Sequence, residues 1–309
     1  MSSEDPGPDE SFGKLLQHYQ RAVDAQESEN ATGAVYDIFA LAEQWCDENP
    51  SPDFALTLAA AECEERADWC CAESTYNQIL ALPEAEPAVE YKTHSSLAGL
   101  CHLLRRECDS MDHVRRATAA ARRADLSILL SMALQNEARC LIRCGQTTDA
   151  CIAIAEAISV IDDDRMYNQM NASLLTLRAE CAVRNGALAD ARCDLEQAST
   201  RLERLAEMQI AAGLRSDLAR WWSVTARLHA ACGDLEKAVA AWQEAVSIGK
   251  HVASLPHAEN VYTKVTVADM LKGLAETLLI CGRADDAVAA FDERRGILDS
   301  VGVPEPDAE

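Results

Sequence analysis

Four glycines stand in one local pattern, and that pattern constrains the fold more than any other feature of the sequence. Gly145, Gly186, Gly233 and Gly282 each follow one helical stretch and precede another. Seven residues before them stand Ala138, Ala179, Ala226 and Ala275; five residues after them stand Ala150, Ala191, Ala238 and Ala287. Nine after come Ile154, Leu195, Trp242 and Phe291, and twelve after come Ala157, Ala198, Ala245 and the exception Arg294. A glycine ends the first helix in a tight turn that a side chain would strain. An alanine on each helix lets the two backbones approach, and the larger residue fills the space against the next hairpin. Self-similarity at such a period predicts stacked helical hairpins sharing one continuous core.

Further copies follow from the spacing. With Ala67 in the glycine place, Ala60, Ala72, Tyr76 and Ile79 occupy the remaining slots. A degenerate copy is expected over 86–124, with helices around 95–106 and 113–123. One more hairpin is expected over 11–47. Long helices are expected over 187–212 and 235–254, with breaks near Gly213 and Pro256, and a capping helix over 285–300. The total is about seven hairpins in a single all-α solenoid over 11–301. The acidic, proline-bearing ends 1–10 and 302–309 are expected to be disordered.

Composition agrees with helix packed on helix. Hydrophobic residues form 49% of the 309, yet aromatics form only 5%, so small side chains must fill much of the core. The net charge of −23 disfavours phosphate backbones and anionic lipid surfaces as partners. No apolar run is long enough for a transmembrane helix, and the first ten residues lack the basic and apolar parts of a signal peptide. These features point to a cytoplasmic protein whose thirteen cysteines are reduced thiols.

The stretches CGDLEKAVAAWQEAV (232–246) and CGRADDAVAAF (281–291) resemble tetratricopeptide repeats. The resemblance covers about 50–300 and implies a right-handed α-solenoid of antiparallel hairpins. The glycines lie 41, 47 and 49 residues apart (145 to 186, 186 to 233, 233 to 282), longer than the common repeat. In that respect the chain is similar to kinesin light chain and to bacterial regulatory relatives.

The resemblance further implies that the first helix of each hairpin lines a concave groove. Counting back from the glycines puts Asn136, Arg139, Arg143, Glu180, Arg184, Ser223, Arg227, Lys272 and Glu276 on that face. Arg139, Arg143, Arg184 and Arg227 would form a basic track suited to an acidic or C-terminal carboxylate segment of a peptide or protein. The competing reading pairs them with Glu180 and Glu276 in a solvated ion network. Trp221 and Trp222 open a first helix, one ring expected in the core and the other available at the surface; Trp45 and Trp69 read as core.

Chemistry beyond binding finds little support. The sequence holds no glycine-rich phosphate loop, no G-x-S-x-G and no H-E-x-x-H. Asp162-Asp163-Asp164 reads as a turn. Cys140 and Cys144 have a C-x-x-x-C spacing, but Cys144, Cys232 and Cys281 all precede turn glycines, and Cys140 and Cys181 both lie five before theirs. Recurrence at equivalent slots reads as small buried apolar residues. His94, Cys101, Cys108 and His113 form the one mixed cluster. The expected function is therefore a non-enzymatic, cofactor-free adaptor or scaffold with a protein or peptide partner. The alternative is a regulatory or sensor subunit that acts by assembling into a larger complex or homo-oligomer.

Overall fold

The computed structural model describes residues 52–83, 86–161, 168–207, 212–254 and 261–303. Two compact units divide the chain, Met1–Leu58 and Ala59–Glu309. In the first, only residues 52–58 are described, and they are helical. The hairpin expected over 11–47, Trp45, the Asp162–Asp164 run and Pro256 lie outside the described residues.

All regular elements among the described residues are helices, paired in sequence as hairpins. They are α1 (Pro52–Glu65), α2 (Trp69–Leu80), α3 (Pro87–Leu103), α4 (Glu107–Ala124), α5 (Ser127–Arg143), α6 (Thr147–Val160), α7 (Asn168–Arg184), α8 (Leu188–Glu207), α9 (Ala212–Ala231), α10 (Leu235–Ala253), α11 (Val261–Ile280) and α12 (Ala284–Ser300). Among the described residues no helix is long and apolar enough to cross a membrane.

The glycine slots explain the turns. Gly145, Gly186, Gly233 and Gly282 all have positive φ, between 74° and 82°. At Gly145 the turn N–H donates to Ile142, and Gln146 N–H donates to Leu141 at 2.8 Å. The same pair of bonds closes the other three turns, satisfying carbonyls left open at the helix end. A β-carbon at these glycines would meet nothing within 4 Å, so backbone conformation alone selects glycine. Ala67 and Arg105 adopt the same left-handed conformation at the other two turns.

Packing explains the alanines. All eight alanines at the slots seven before and five after the glycines are fully buried, at 0% exposure. No larger side chain fits where two helix backbones approach this closely.

Three expectations change. The degenerate hairpin turns at Arg105, so its helices are longer than expected and begin earlier. In that register Ala98 and Ser110 take the two alanine slots, and the Ser110 hydroxyl donates to the Ala98 carbonyl at 2.8 Å. The break expected near Gly213 corresponds to the change from α8, ending at Glu207, to α9, beginning at Ala212, with Gly213 itself in the first turn of α9. The cysteines divide by slot. Cys140 and Cys181, facing the core, are buried as expected, but Cys144 and Cys232 are exposed and Cys281 is half-buried. A residue just before the turn glycine sits at the hairpin tip and points toward solvent. Cys63 and Cys71, facing each other across the Ala67 turn, form a disulfide, which corrects the all-reduced expectation.

The α3–α4 hairpin carries a titratable pair in its interface. His94 and His113 bring their Nδ1 atoms within 3.1 Å. Burial pushes His94 down to about 4, and burial lowers His113 as well. Arg116 faces both rings and Arg123 faces His94; Asp109 and Glu73 face His113. A histidine kept neutral in the fold takes up its proton more readily when unfolded, so stability is present above its ordinary pKa of 6.5 and is lost as pH falls toward 4. Urea unfolding between pH 7 and pH 4 should show that loss, and His94→Gln should flatten it. An unchanged slope in the variant would remove His94 as the cause. Of the other two residues in this mixed cluster, Cys101 is buried and Cys108 exposed.

Candidate functional site

The first helices of five hairpins make the site. Besides pairing with its own second helix, each contacts the first helix of the next hairpin: α3 with α5, α5 with α7, α7 with α9, and α9 with α11. The series then closes, because α11 also contacts α3. At that seam Gly99 leaves room for the Tyr262 ring, where an added β-carbon would come within 3.0 Å of Cε1. Tyr262 and Tyr76 both donate to Glu64 Oε1 at 3.1 Å. Burial raises the pKa of Glu64. The Trp69 indole N–H reaches the Gly302 carbonyl at 3.4 Å, beside a core of Leu103, Val265, Ala268, Leu298, Val301 and Val303.

Inside this ring lies a cavity of about 540 Å³, well within the size of ligand pockets. Asn136, Arg139, Arg143, Glu180, Arg184, Ser223 and Arg227 all line it. Lys272 and Glu276 do not; they pair with each other at 3.8 Å on the exposed face of α11. The physical reason is that α11 lines the cavity only along its first half, between Tyr262 and Met270, where it meets α3. Further along, Trp242 fills the place beside Gly273.

The lining is basic. Five arginines (139, 143, 184, 220 and 227) face two carboxylates, Glu180 and Asp269. Part of this charge is compensated: buried Glu180 accepts from Arg184 at 3.3 Å and also from Arg227. The Arg227 guanidinium lies 5.6 Å from the centre of the Trp242 ring. Arg143 faces Glu107 at 3.7 Å. The remainder is compensated only at a distance, Asp217 and Glu180 bearing on both Arg139 and Arg220. Arg139 reaches only neutral oxygens, Asn136 Oδ1 at 3.5 Å and Ser173 Oγ at 3.4 Å, and its Nε has no partner. Burial pulls its pKa down to about 9, and neighbouring Arg220 adds to the shift. Burial lowers Arg220 too, and Arg220 forms no ion pair among the described residues. Both arginines are half-buried in the cavity wall and have no direct anionic partner among the described residues.

Arg220 and Asp269 were missed by counting back ten residues from the glycines. One more helical turn, thirteen back, gives Met132, Ser173, Arg220 and Asp269, three of them polar. Ser223 is buried on the expected face, but its hydroxyl donates to its own helix at Ala219. Neither ring of the tryptophan pair is free at the surface: Trp221 and Trp222 are both half-buried, stacked edge-to-face at 4.9 Å, and the Trp221 N–H donates to the Leu195 carbonyl.

Hairpins stacked around such a groove define a tetratricopeptide-repeat-like α-solenoid. Among solved structures, the chain is similar to a Rap protein complexed with Competence and Sporulation Factor, with 15% identity and a TM-score of 0.64 over 95% of this chain and 78% of that one. It is also similar to aspartyl phosphate phosphatase F from Bacillus subtilis, with 14% identity and a TM-score of 0.60 over 96% and 73% of the two chains. At these identities the likeness is one of fold. No family model and no curated protein significantly matches the sequence. The resemblance to kinesin light chain rests on repeat length alone.

Proposed function

We propose that this chain is a regulatory protein-interaction module that takes an acidic or carboxylate-terminated peptide segment into its central cavity. The observation that carries this reading is the excess of arginine inside a chain of net charge −23: five arginines against two carboxylates in the lining, with Arg139 and Arg220 in no direct ion pair among the described residues. An anion placed there would give these two a direct partner, and guanidinium groups hold carboxylates with two parallel hydrogen bonds. The Rap protein of similar fold was solved with Competence and Sporulation Factor bound, which supports a ligand-controlled module on this scaffold. The phosphatase name of the second neighbour belongs to that protein; in this chain the cavity's polar groups suit binding, and catalysis is not part of the reading. The reading keeps a cytoplasmic setting, ten of the twelve described cysteines being free and the Cys63–Cys71 pair the exception.

The experiment compares two labelled pentapeptides by fluorescence anisotropy. One ends in two glutamates and a free carboxylate; the other carries glutamines and an amidated end. The acidic peptide should bind at least tenfold more tightly, a difference of about 1.4 kcal/mol. Arg139→Glu with Arg143→Glu should abolish that preference. Equal affinities, or a preference untouched by the double reversal, would sink the proposal.

A further inference from the structure

At the edge of the cavity a second constellation lies outside the peptide reading. Cys140, in the last turn of α5, and Cys144, the residue that caps its C-terminus, stand four residues apart and so share a face. Glu107, the first residue of α4, meets them there: a carboxylate oxygen and the two Sγ atoms all lie within 4.8 Å of one another. Among the four glycine-marked repeats only this one has both thiols. The equivalent pairs are Cys181 with Asn185, Leu228 with Cys232, and Thr277 with Cys281. Shared packing therefore accounts for either cysteine singly but not for the pair.

Glu107 supplies the second observation. Its Oε1 accepts from His102 Nδ1 at 2.8 Å. Its Oε2 is buried and has no hydrogen-bond partner, and Arg143 Nε, at 3.7 Å, is beyond hydrogen-bond reach. A carboxylate oxygen held from water with a long contact to one guanidinium and no hydrogen bond is incompletely satisfied. Two thiols and a carboxylate that converge on one point are a ligand set for a thiophilic divalent cation.

We propose that Cys140, Cys144 and Glu107 form a zinc-type metal site, with its fourth position open to solvent beside exposed Cys144. His102, hydrogen-bonded to the carboxylate, is the positioning residue that aims Glu107 at the metal. Binding displaces one proton from each thiol to solvent, leaving two thiolates and one carboxylate around a 2+ ion. The resulting net charge of about −1 lies beside Arg143 and Arg105, the cations that already bear on Glu107. Because Glu107 comes from α4 and both thiols from α5, the metal would tie two consecutive hairpins together.

Cobalt(II) titration of the reduced, chelator-treated full chain tests this. One equivalent should give thiolate-to-cobalt charge-transfer absorption, and added zinc should abolish it. Cys140→Ala with Cys144→Ser should lose the absorption, while Cys232→Ser with Cys281→Ser, at the other hairpin tips, should keep it. Glu107→Gln should weaken binding at least tenfold. If the double variant fails to fold by circular dichroism, Cys144→Ser alone, at an exposed position, should still lose the absorption. Absence of charge-transfer absorption in the folded parent chain, or its persistence in Cys144→Ser, would overturn the site. None of these readouts involves the acidic peptide, so the site stands or falls apart from the peptide reading.

Discussion

Replacing Arg139 with methionine is expected to make the protein more stable and a poorer binder. The guanidinium sits in the cavity wall with Nε unbonded and only neutral oxygens near its other nitrogens. Methionine keeps most of the side-chain volume and removes a half-buried charge that has no direct ion pair, a change expected to stabilise by about 1 kcal/mol. Affinity for the acidic pentapeptide should fall at least tenfold in the same variant. Glu180→Gln should do the reverse. It withdraws the one carboxylate that both Arg184 and Arg227 contact, so stability should drop by about 3 kcal/mol while the acidic peptide binds more tightly. Thermal unfolding and anisotropy on the two variants check both signs. If the arginines served only as a structural ion network, Arg139→Met would lower the melting temperature, and the binding interpretation would fail with it.

The second large effect is expected at Gly273. A β-carbon there would come within 2.4 Å of Trp242 Cζ2 and 2.6 Å of Cη2, closer than atoms can approach. Trp242 is itself 3% exposed and belongs to the same buried cluster as Val239, Ala245, Leu271 and Ala275, with the cavity on one side, so its ring can move only toward that cavity. Gly273→Ala should therefore destabilise by up to about 3 kcal/mol, a typical cost of overpacking. Trp242→Leu, which removes the obstructing ring, should make the glycine change far less costly on its background. A double-mutant cycle by urea unfolding measures that coupling. Strict additivity would mean that the close approach does not govern the site. Gly273 occupies the slot that holds Asn136, Leu177 and Val224 in the other repeats. Its departure from them is an accommodation of the tryptophan that follows Gly233 by nine residues.

Much of the fold was legible because its rules are local. Positive φ at four phased positions demands glycine, and close backbone approach demands alanine; both leave their mark in one chain without reference to any neighbour. The reading failed where another residue tolerated the same conformation. Arg105 adopts a φ of 61° with no glycine to announce it; the span expected for the degenerate hairpin, 86–124, matches, but its two helices begin several residues earlier than expected. The cavity face was legible as far as each first helix keeps its rotation relative to the next. Seven of the nine groove residues expected from the glycine register line the cavity, and the two that do not, Lys272 and Glu276, belong to the helix that closes the ring.

What the sequence determined by itself was the kind of element, the order of hairpins and the face that α5, α7 and α9 turn inward, because these depend on steric limits acting over one or two helical turns. Tertiary structure alone decided that α11 returns to α3, that Arg139 and Arg220 form no direct ion pair among the described residues, and that Glu107 reaches Cys140 and Cys144. Each of these depends on the rotation accumulated from one hairpin to the next, a quantity set by the packing of many side chains and written at no single position.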